Sequence, residues 1–321
     1  MTSPVQNAPD TGLVPARGPV LNRARPRERG TLGRALTGWG FALPFAALFL
    51  LFTAGPVVAS LAMSLTDLGS ADLLDPLGVN FVGLDNYLRL FDDPKFVIAA
   101  TNTAIFVVVG VPLTMALALL VALGLNSGLV KFRGLFRVGY YLPVVTSIVA
   151  ISVVWRFILQ PDSGLLNTAL SWVGIEGPNW LQTKSTALPT LIVMGAWRNL
   201  GFGMVIFLAG LQAIPKELYE AATIDGARKW AQLRYLTVPM LRPTMLFVAV
   251  ITTIGYVQFF EEPFVMTRGG PLDSTLSLAY HTYNQFGFGN YGYASAMGYV
   301  LFVVVVLLSI AWFRLLRNNV D

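Results

Sequence analysis

Two apolar stretches carry polar groups that could meet a ligand. The first, WRNLGFG, sets Arg198 and Asn199 near the centre of a long apolar run, with Phe202 beside them. A guanidinium at mid-bilayer depth is costly and therefore faces protein or water. It can pair with a carboxylate or carbonyls of a neighbouring subunit, or it can line a pathway; the residue types leave both open. Gly201 and Gly203 could loosen the helix at this point. The second stretch, TTIGYVQFFEEPF, supplies Thr252, Gly255, Tyr256, Gln258 and Phe259. Aromatic faces suit the C–H faces of a sugar ring, and hydroxyls and amides suit its hydroxyls, but aromatic residues at helical spacing are more often packing than a ligand site. Glu261 and Glu262 follow near the outer end, where the preferred reading is interfacial and partly hydrated and the other is an outer gate. Arg156, near the end of its own apolar run, snorkels. His281 stands without a second ligand nearby, so no metal site is expected. Tyr280, Tyr283, Phe286, Phe288, Tyr291 and Tyr293 around it fit an interfacial belt, with a docking surface for an external protein as the alternative.

Other chemistry is excluded by residue type. The sequence has no cysteine, which removes disulfides, thiolate metal sites and cysteine nucleophiles. It has no Gly-x4-Gly-Lys-Ser/Thr phosphate cradle and no Ser/His/Asp set, His-Glu-x-x-His or paired-acid constellation. No enzyme and no resident cofactor are expected.

The elements that must hold these residues are membrane spans. Of 321 residues, 55% are hydrophobic and 12% charged, against about 25% charged in soluble domains. Crossing about 30 Å of hydrocarbon takes about 20 apolar helical residues. Six runs qualify, at 39–63, 97–123, 138–159, 187–211, 244–265 and 294–316, and their continuous apolarity argues against barrel strands. Sixteen Lys and Arg fall on the N-terminal arm, the 124–137 and 212–243 loops and the C-terminal tail, against four on the opposite loops. Both termini are therefore expected in the cytoplasm. The expected fold is an all-α membrane protein of six transmembrane helices in one domain, 36–321. It is preceded by a disordered basic arm, 1–35, carrying Arg17, Arg23, Arg25, Arg27, Arg29 and Arg34. The first outer loop is acidic, with Asp67, Asp72, Asp75, Asp85, Asp92 and Asp93.

One cytoplasmic loop has too much pattern for a plain connection. In PKELYEAATIDGARKWAQLRYLTVP, Pro215 suits a first helical turn, Glu217 and Glu220 favour its positive end, and Leu218, Ala221 and Ala222 make a small apolar face. Gly226 stands where a left-handed C-cap would. A second helical pattern places Trp230, Leu233 and Leu236 on one side, and Pro239 is expected to stop it. Small alanines admit a partner's backbone, and Glu220 and Asp225 can accept its donors; an amphipathic hairpin lying on headgroups fits equally.

The spacing Glu220-Ala221-Ala222, three residues, Gly226, nine residues, Leu236-x-Val238-Pro239 resembles the EAA loop of bacterial ABC importer permeases, with Leu and Val where Ile and Leu are usual. FVGLDNYLRLFDDPKF at 81–96, FRVGYYLPVVTSIVAISVVWRFIL, GLLNTAL and RGGPLDSTLSLAYHTYNQFGFGNYGYASAM, in that order, are similar to permeases of the maltose-type carbohydrate family, in particular the F-type or glycerol-phosphate A-type subunit. The basic arm lies outside the family pattern. The resemblance implies a type I importer permease fold in which Glu220, Ala221, Ala222, Asp225, Gly226, Leu236, Val238 and Pro239 couple to a cytoplasmic ATPase. Sugar contacts carry over by position onto Arg198, Asn199, Phe202, Thr252, Gly255, Tyr256 and Phe259, although several side-chain types differ. The implied partners are a second homologous permease, two ATPase subunits that bind the ATP and Mg, and an extracytoplasmic solute-binding lipoprotein. The implied location is the bacterial cytoplasmic membrane, with no nucleic-acid partner. The implied cargo is a disaccharide or oligosaccharide; glycerol 3-phosphate or a glycerophosphodiester is the alternative, with Arg198 as counter-charge. The rival from another class is an ion-coupled secondary transporter, which usually shows repeats and midplane ionisable residues.

Overall fold

The structure is a computed structural model and describes residues 31–74, 78–128 and 130–317. Residues 1–30 of the expected basic arm, Asp75 and the last four residues lie outside them. The described part already begins as helix α1 (Thr31–Phe49), upstream of the boundary expected at 35. The described residues fall into two units that divide between Pro56 and Val57.

Four runs among the described residues are long and apolar enough to cross a membrane: Gly38–Ser64, Pro94–Asn126, Lys184–Gln212 and Tyr291–Leu316. Two bent pairs, Arg133–Val145 with Ile148–Ile158 and Lys229–Met240 with Arg242–Val257, raise the number to six when each is one span. The first run comprises α1, a π-turn over Leu50–Ala54 and α2 (Gly55–Ser64). The π-turn has a local cause. Pro56 has no N–H to continue the i→i−4 ladder, and the Gly55 N–H reaches back five residues to the Leu50 carbonyl. The same spacing recurs at Leu233–Thr237, where Val238 reaches Leu233 just before Pro239. Pro239 therefore does not stop the second loop helix as expected: it sits inside the helical turn α11 (Val238–Met240), and the break falls at Leu241.

Helix α3 (Asp85–Asp92) leads into α4 (Pro94–Asn126), whose start is capped by Asp93 accepting from the Lys95 N–H at 2.9 Å. Helix α4 packs along α8 (Lys184–Gln212), burying Phe106, Val111, Ala118, Leu191, Met194, Met204 and Phe207. The glycines of WRNLGFG admit neighbouring helices, Gly203 facing Ala118 of α4, and do not open the helix, which is continuous through them. A Cβ on Gly201 would lie 2.0 Å from the Tyr140 carbonyl oxygen of α5 (Arg133–Val145). Asn102 on α4 donates to the carbonyls of Asp273 and Leu276 at 2.8 and 3.0 Å, tying the loop that follows the fifth span. Buried Ser152 finds no such partner among the described residues.

Two expected spans are broken. The third bends by 100° between α5 and α6 (Ile148–Ile158), because Thr146 and Ser147 are extended just beyond Pro143. The fifth ends as α12 (Arg242–Val257), and the chain resumes helix only in α13 (Glu261–Met266). Pro263 cannot donate to the carbonyl of Phe259. That carbonyl instead accepts from the Ser277 hydroxyl at 2.7 Å. Helices α14 (Leu278–Gly287) and α15 (Tyr291–Arg317) complete the bundle, with Trp312 donating to Thr253 of α12 at 2.9 Å.

Candidate functional sites

The loop singled out by its pattern is a two-helix hairpin. Helix α9 (Lys216–Ile224) ends at Gly226, whose φ of +78° is the left-handed conformation the C-cap demands. The Ala227 N–H closes the turn onto the Ala222 carbonyl at 2.8 Å. The chain then turns back through α10 (Lys229–Gln232). Gln232 donates to the Thr223 hydroxyl at 2.9 Å and to the Ala227 carbonyl at 3.1 Å, and the Tyr219 and Thr237 hydroxyls meet at 2.9 Å. These bonds fix the angle between the arms without any buried core of their own. Glu220, Ala221, Asp225 and Gly226 are exposed, and Ala222, Leu236, Val238 and Pro239 are half-buried. Ile224 and Trp230 stand 87% and 72% exposed, which gives the hairpin an apolar tip.

The second site is a cavity of about 370 Å³, within the range of about 300–1,000 Å³ usual for small-molecule sites. Arg198, Asn199, Phe202, Thr252, Gly255, Tyr256 and Phe259 all line it. Residues 198–202 come from α8, 252–256 from α12, and Phe259 from the break after α12. Val144 and Ile148, on either side of the α5/α6 break, complete the wall with Ile251, Glu261 and Glu262. The two breaks thus deliver side chains that continuous spans would have pointed elsewhere. Part of the aromatic surface is committed to packing: Phe259 stacks on Phe106 at 3.9 Å, and the Tyr256 hydroxyl bonds Thr114 at 2.6 Å. Asn199 turns its amide to the Gly195 carbonyl at 2.9 Å, leaving only a long 3.5 Å contact from Arg198 to its oxygen.

The two glutamates, expected to share an interfacial and partly hydrated position, differ: Glu261 is exposed. Glu262 is only 5% exposed, and its Oε2 has no partner among the described residues. The one signal for this in the sequence was Glu-Glu-Pro, the pattern of a helix start, which would have placed both residues at a break.

His281 is likewise not a solitary belt residue. It is 3% exposed, and its Nε2 lies 3.1 Å from Asp93 Oδ2, which also accepts from the Tyr293 hydroxyl at 2.9 Å. The Arg89 guanidinium sits 5.3 Å over the Tyr293 ring. Burial pushes the Asp93 carboxyl up, but the bonds from His281, Tyr293 and the Lys95 N–H outweigh it and hold the group below its ordinary value. Of the expected belt, Tyr280 and Tyr293 are buried, whereas Tyr283, Phe286 and Phe288 are exposed. No cluster of metal-ligating groups occurs among the described residues.

Comparison with known proteins adds a family and a fold. The family of binding-protein-dependent transport system inner membrane components matches residues 40–321. The lactose transport system permease protein LacF of Rhizobium radiobacter is 38% identical over 290 residues, covering 88% of this chain and 95% of LacF. The arabinooligosaccharides transport system permease protein AraP of Halalkalibacterium halodurans is 35% identical over 83% of either chain. The trehalose/maltose transport system permease protein MalF of Thermococcus litoralis is 33% identical over 89% of this chain and 96% of MalF. Among solved structures, a chain of a bacterial ABC transporter that imports the acidic polysaccharide alginate superposes with a TM-score of 0.76. It is 24% identical and covers 90% of this chain and 98% of its own length, a likeness of fold.

Proposed function

This chain belongs to the family of binding-protein-dependent transport system inner membrane components, and we propose that it forms one half of the translocation pathway of an ATP-driven importer for a disaccharide or oligosaccharide. A second, homologous permease supplies the other half. A solute-binding protein delivers cargo to the outer mouth. Two ATPase subunits grip the hairpin at Glu220–Pro239, and their closure on ATP rearranges the bundle so that the cavity opens inward. ATP itself does not touch this chain.

The observation that carries the reading is that the seven pathway positions, drawn from separate segments of the sequence, line one cavity of about 370 Å³. The cargo class follows the relatives, whose names specify lactose, arabinooligosaccharides and trehalose or maltose. Glycerol 3-phosphate is not favoured as cargo, because these three relatives are named for saccharides.

The test is uptake by the complete complex in proteoliposomes, with its binding protein and internal ATP, using labelled lactose, maltose, trehalose and glycerol 3-phosphate. ATP-dependent uptake of a saccharide is expected. Uptake of glycerol 3-phosphate alone would overturn the cargo class. Uptake that continues without the ATPase subunits would point to a secondary transporter.

A further inference from the structure

Five buried side-chain polar atoms among the described residues have no hydrogen-bond partner: Arg137 Nε, Ser152 Oγ, Arg198 Nε, Glu262 Oε2 and Ser274 Oγ. Two of them, of opposite charge type, belong to residues lining the same cavity. Leaving a buried polar group unmet costs about 1–3 kcal/mol, more for a charged one, and intramembrane ionisable groups face protein partners or a path for cargo. The least expensive arrangement would be for Arg198 and Glu262 to neutralise each other. They do not: Arg198 Nε and Glu262 Oε2 are both left without a partner among the described residues. Arg198 is fixed in the long helix α8, and Glu262 is fixed at the start of α13 by the Pro263 break and the Ser277 bond to the Phe259 carbonyl.

A molecule that satisfies both groups must offer donors to Oε2 and acceptors to the guanidinium. A hydroxyl does both, and adjacent ring hydroxyls present them at short spacing. A phosphate or carboxylate would satisfy Arg198 but, when ionised, carries no donor to meet Glu262 Oε2. We infer that Glu262 is a cargo-contacting, specificity-determining residue: its unpartnered carboxyl oxygen accepts from hydroxyls of a neutral saccharide also held by Arg198, and it excludes anionic saccharides from the site. This rests on the cavity being the cargo site, as proposed above.

The absence of cysteine from the sequence supplies a reporter. Gly255 lines the cavity, and a Cβ there would meet nothing within 4 Å, so Gly255→Cys places a thiol on the wall without crowding it. In the assembled complex, modification of this thiol by a neutral maleimide is followed with lactose, maltose or trehalose present, and with the anionic analogues lactobionate and trehalose 6-phosphate. A neutral saccharide is expected to slow modification at concentrations at least about ten-fold lower than its anionic analogue. Adding Glu262→Gln is expected to raise the protecting concentration of the neutral saccharide about ten-fold or more and to narrow or abolish its advantage over the anion. Equal protection by neutral and anionic analogues in the parent overturns the inference even if Glu262→Gln fails to assemble. Unchanged protection by the neutral saccharide in an assembled Glu262→Gln complex also overturns it, while leaving the cavity as the cargo site. Absence of protection by every saccharide overturns the cargo site itself, and the inference falls with it.

Discussion

The hairpin and the cavity distribute polarity in opposite senses. In the hairpin, Ile224 and Trp230 turn apolar surface outward, and the arms are held by polar bonds from Gln232 and Tyr219. In the cavity, Arg198 and Glu262 turn charged groups inward, and the walls are held by apolar packing such as Phe259 on Phe106. An exposed apolar tip on a rigid turn suits a protein partner that stays bound. Ionisable groups with unpartnered polar atoms suit a small ligand that comes and goes, because water can meet those atoms between visits and a hydroxylated cargo can replace it.

The contrast breaks most easily at the hairpin's one left-handed residue. Proline cannot adopt the φ of +78° found at Gly226, and it would delete the N–H that bonds the Thr223 carbonyl at 3.0 Å. We predict that Gly226→Pro lowers binding-protein-stimulated ATPase activity of the reconstituted complex by more than about ten-fold, a docking loss above 1.4 kcal/mol. The bundle should stay folded, because Gly226 itself is exposed and the hairpin's contacts with the core, made by Tyr219, lie away from the turn. Glu220→Lys should act in the same direction, by reversing charge on an exposed face. Stimulated activity near the parent value in either variant would show that the hairpin rests on lipid and is not gripped by an ATPase.

The same contrast explains what could be read from the sequence. The hairpin is local: its turn, its alanines and its glycine lie within 25 residues, Pro215 to Pro239, so spacing alone exposes it. The six apolar runs are visible for the same reason, since length and apolarity are local sums. The breaks were harder to see, with Glu-Glu-Pro as the one local hint, at the second of them. PVVTS and QFFEEP read as continuous apolar helix with a few polar residues, and only the tertiary bond from Ser277 to the carbonyl left by Pro263 shows why the fifth run ends early. The location of the pathway residues came from the family resemblance and not from periodicity. Glu262 was misjudged because its burial depends on segments far away in sequence. The Asp93–His281 pair spans 188 positions, and nothing near either residue announces the other.

Tyr256 sharpens the comparison from within the cavity wall. Its hydroxyl bonds Thr114 on α4 at 2.6 Å, which commits it first to packing although the ring lines the cavity. Tyr256→Phe should therefore lower the melting temperature of the detergent-solubilised complex by about 2–4 °C, from a hydrogen bond contributing about 1 kcal/mol. The half-saturating concentration for uptake should change by less than about three-fold. A large rise in that concentration with an unchanged melting temperature would mean that the hydroxyl reaches cargo, and the line between packing and interior would have to be redrawn.

The smallest expected effect comes from a charge cluster that, unlike the cavity, is fully partnered. Asp93 caps α4 and accepts from His281 and Tyr293, so it joins three helices at one end of the bundle. Because these bonds hold its folded-state value below the ordinary 3.8, the native state binds the proton less readily than the unfolded chain does. The stabilisation is therefore complete above the unfolded value and is lost as pH falls through the folded one. The parent should lose melting temperature between about pH 5 and pH 3, and Asp93→Asn, which starts lower, should lose less over the same interval. Parallel pH curves for the two proteins would show that the carboxylate adds nothing there, and that pairing a charge at this end of the bundle is worth no more than leaving it unpaired in the cavity.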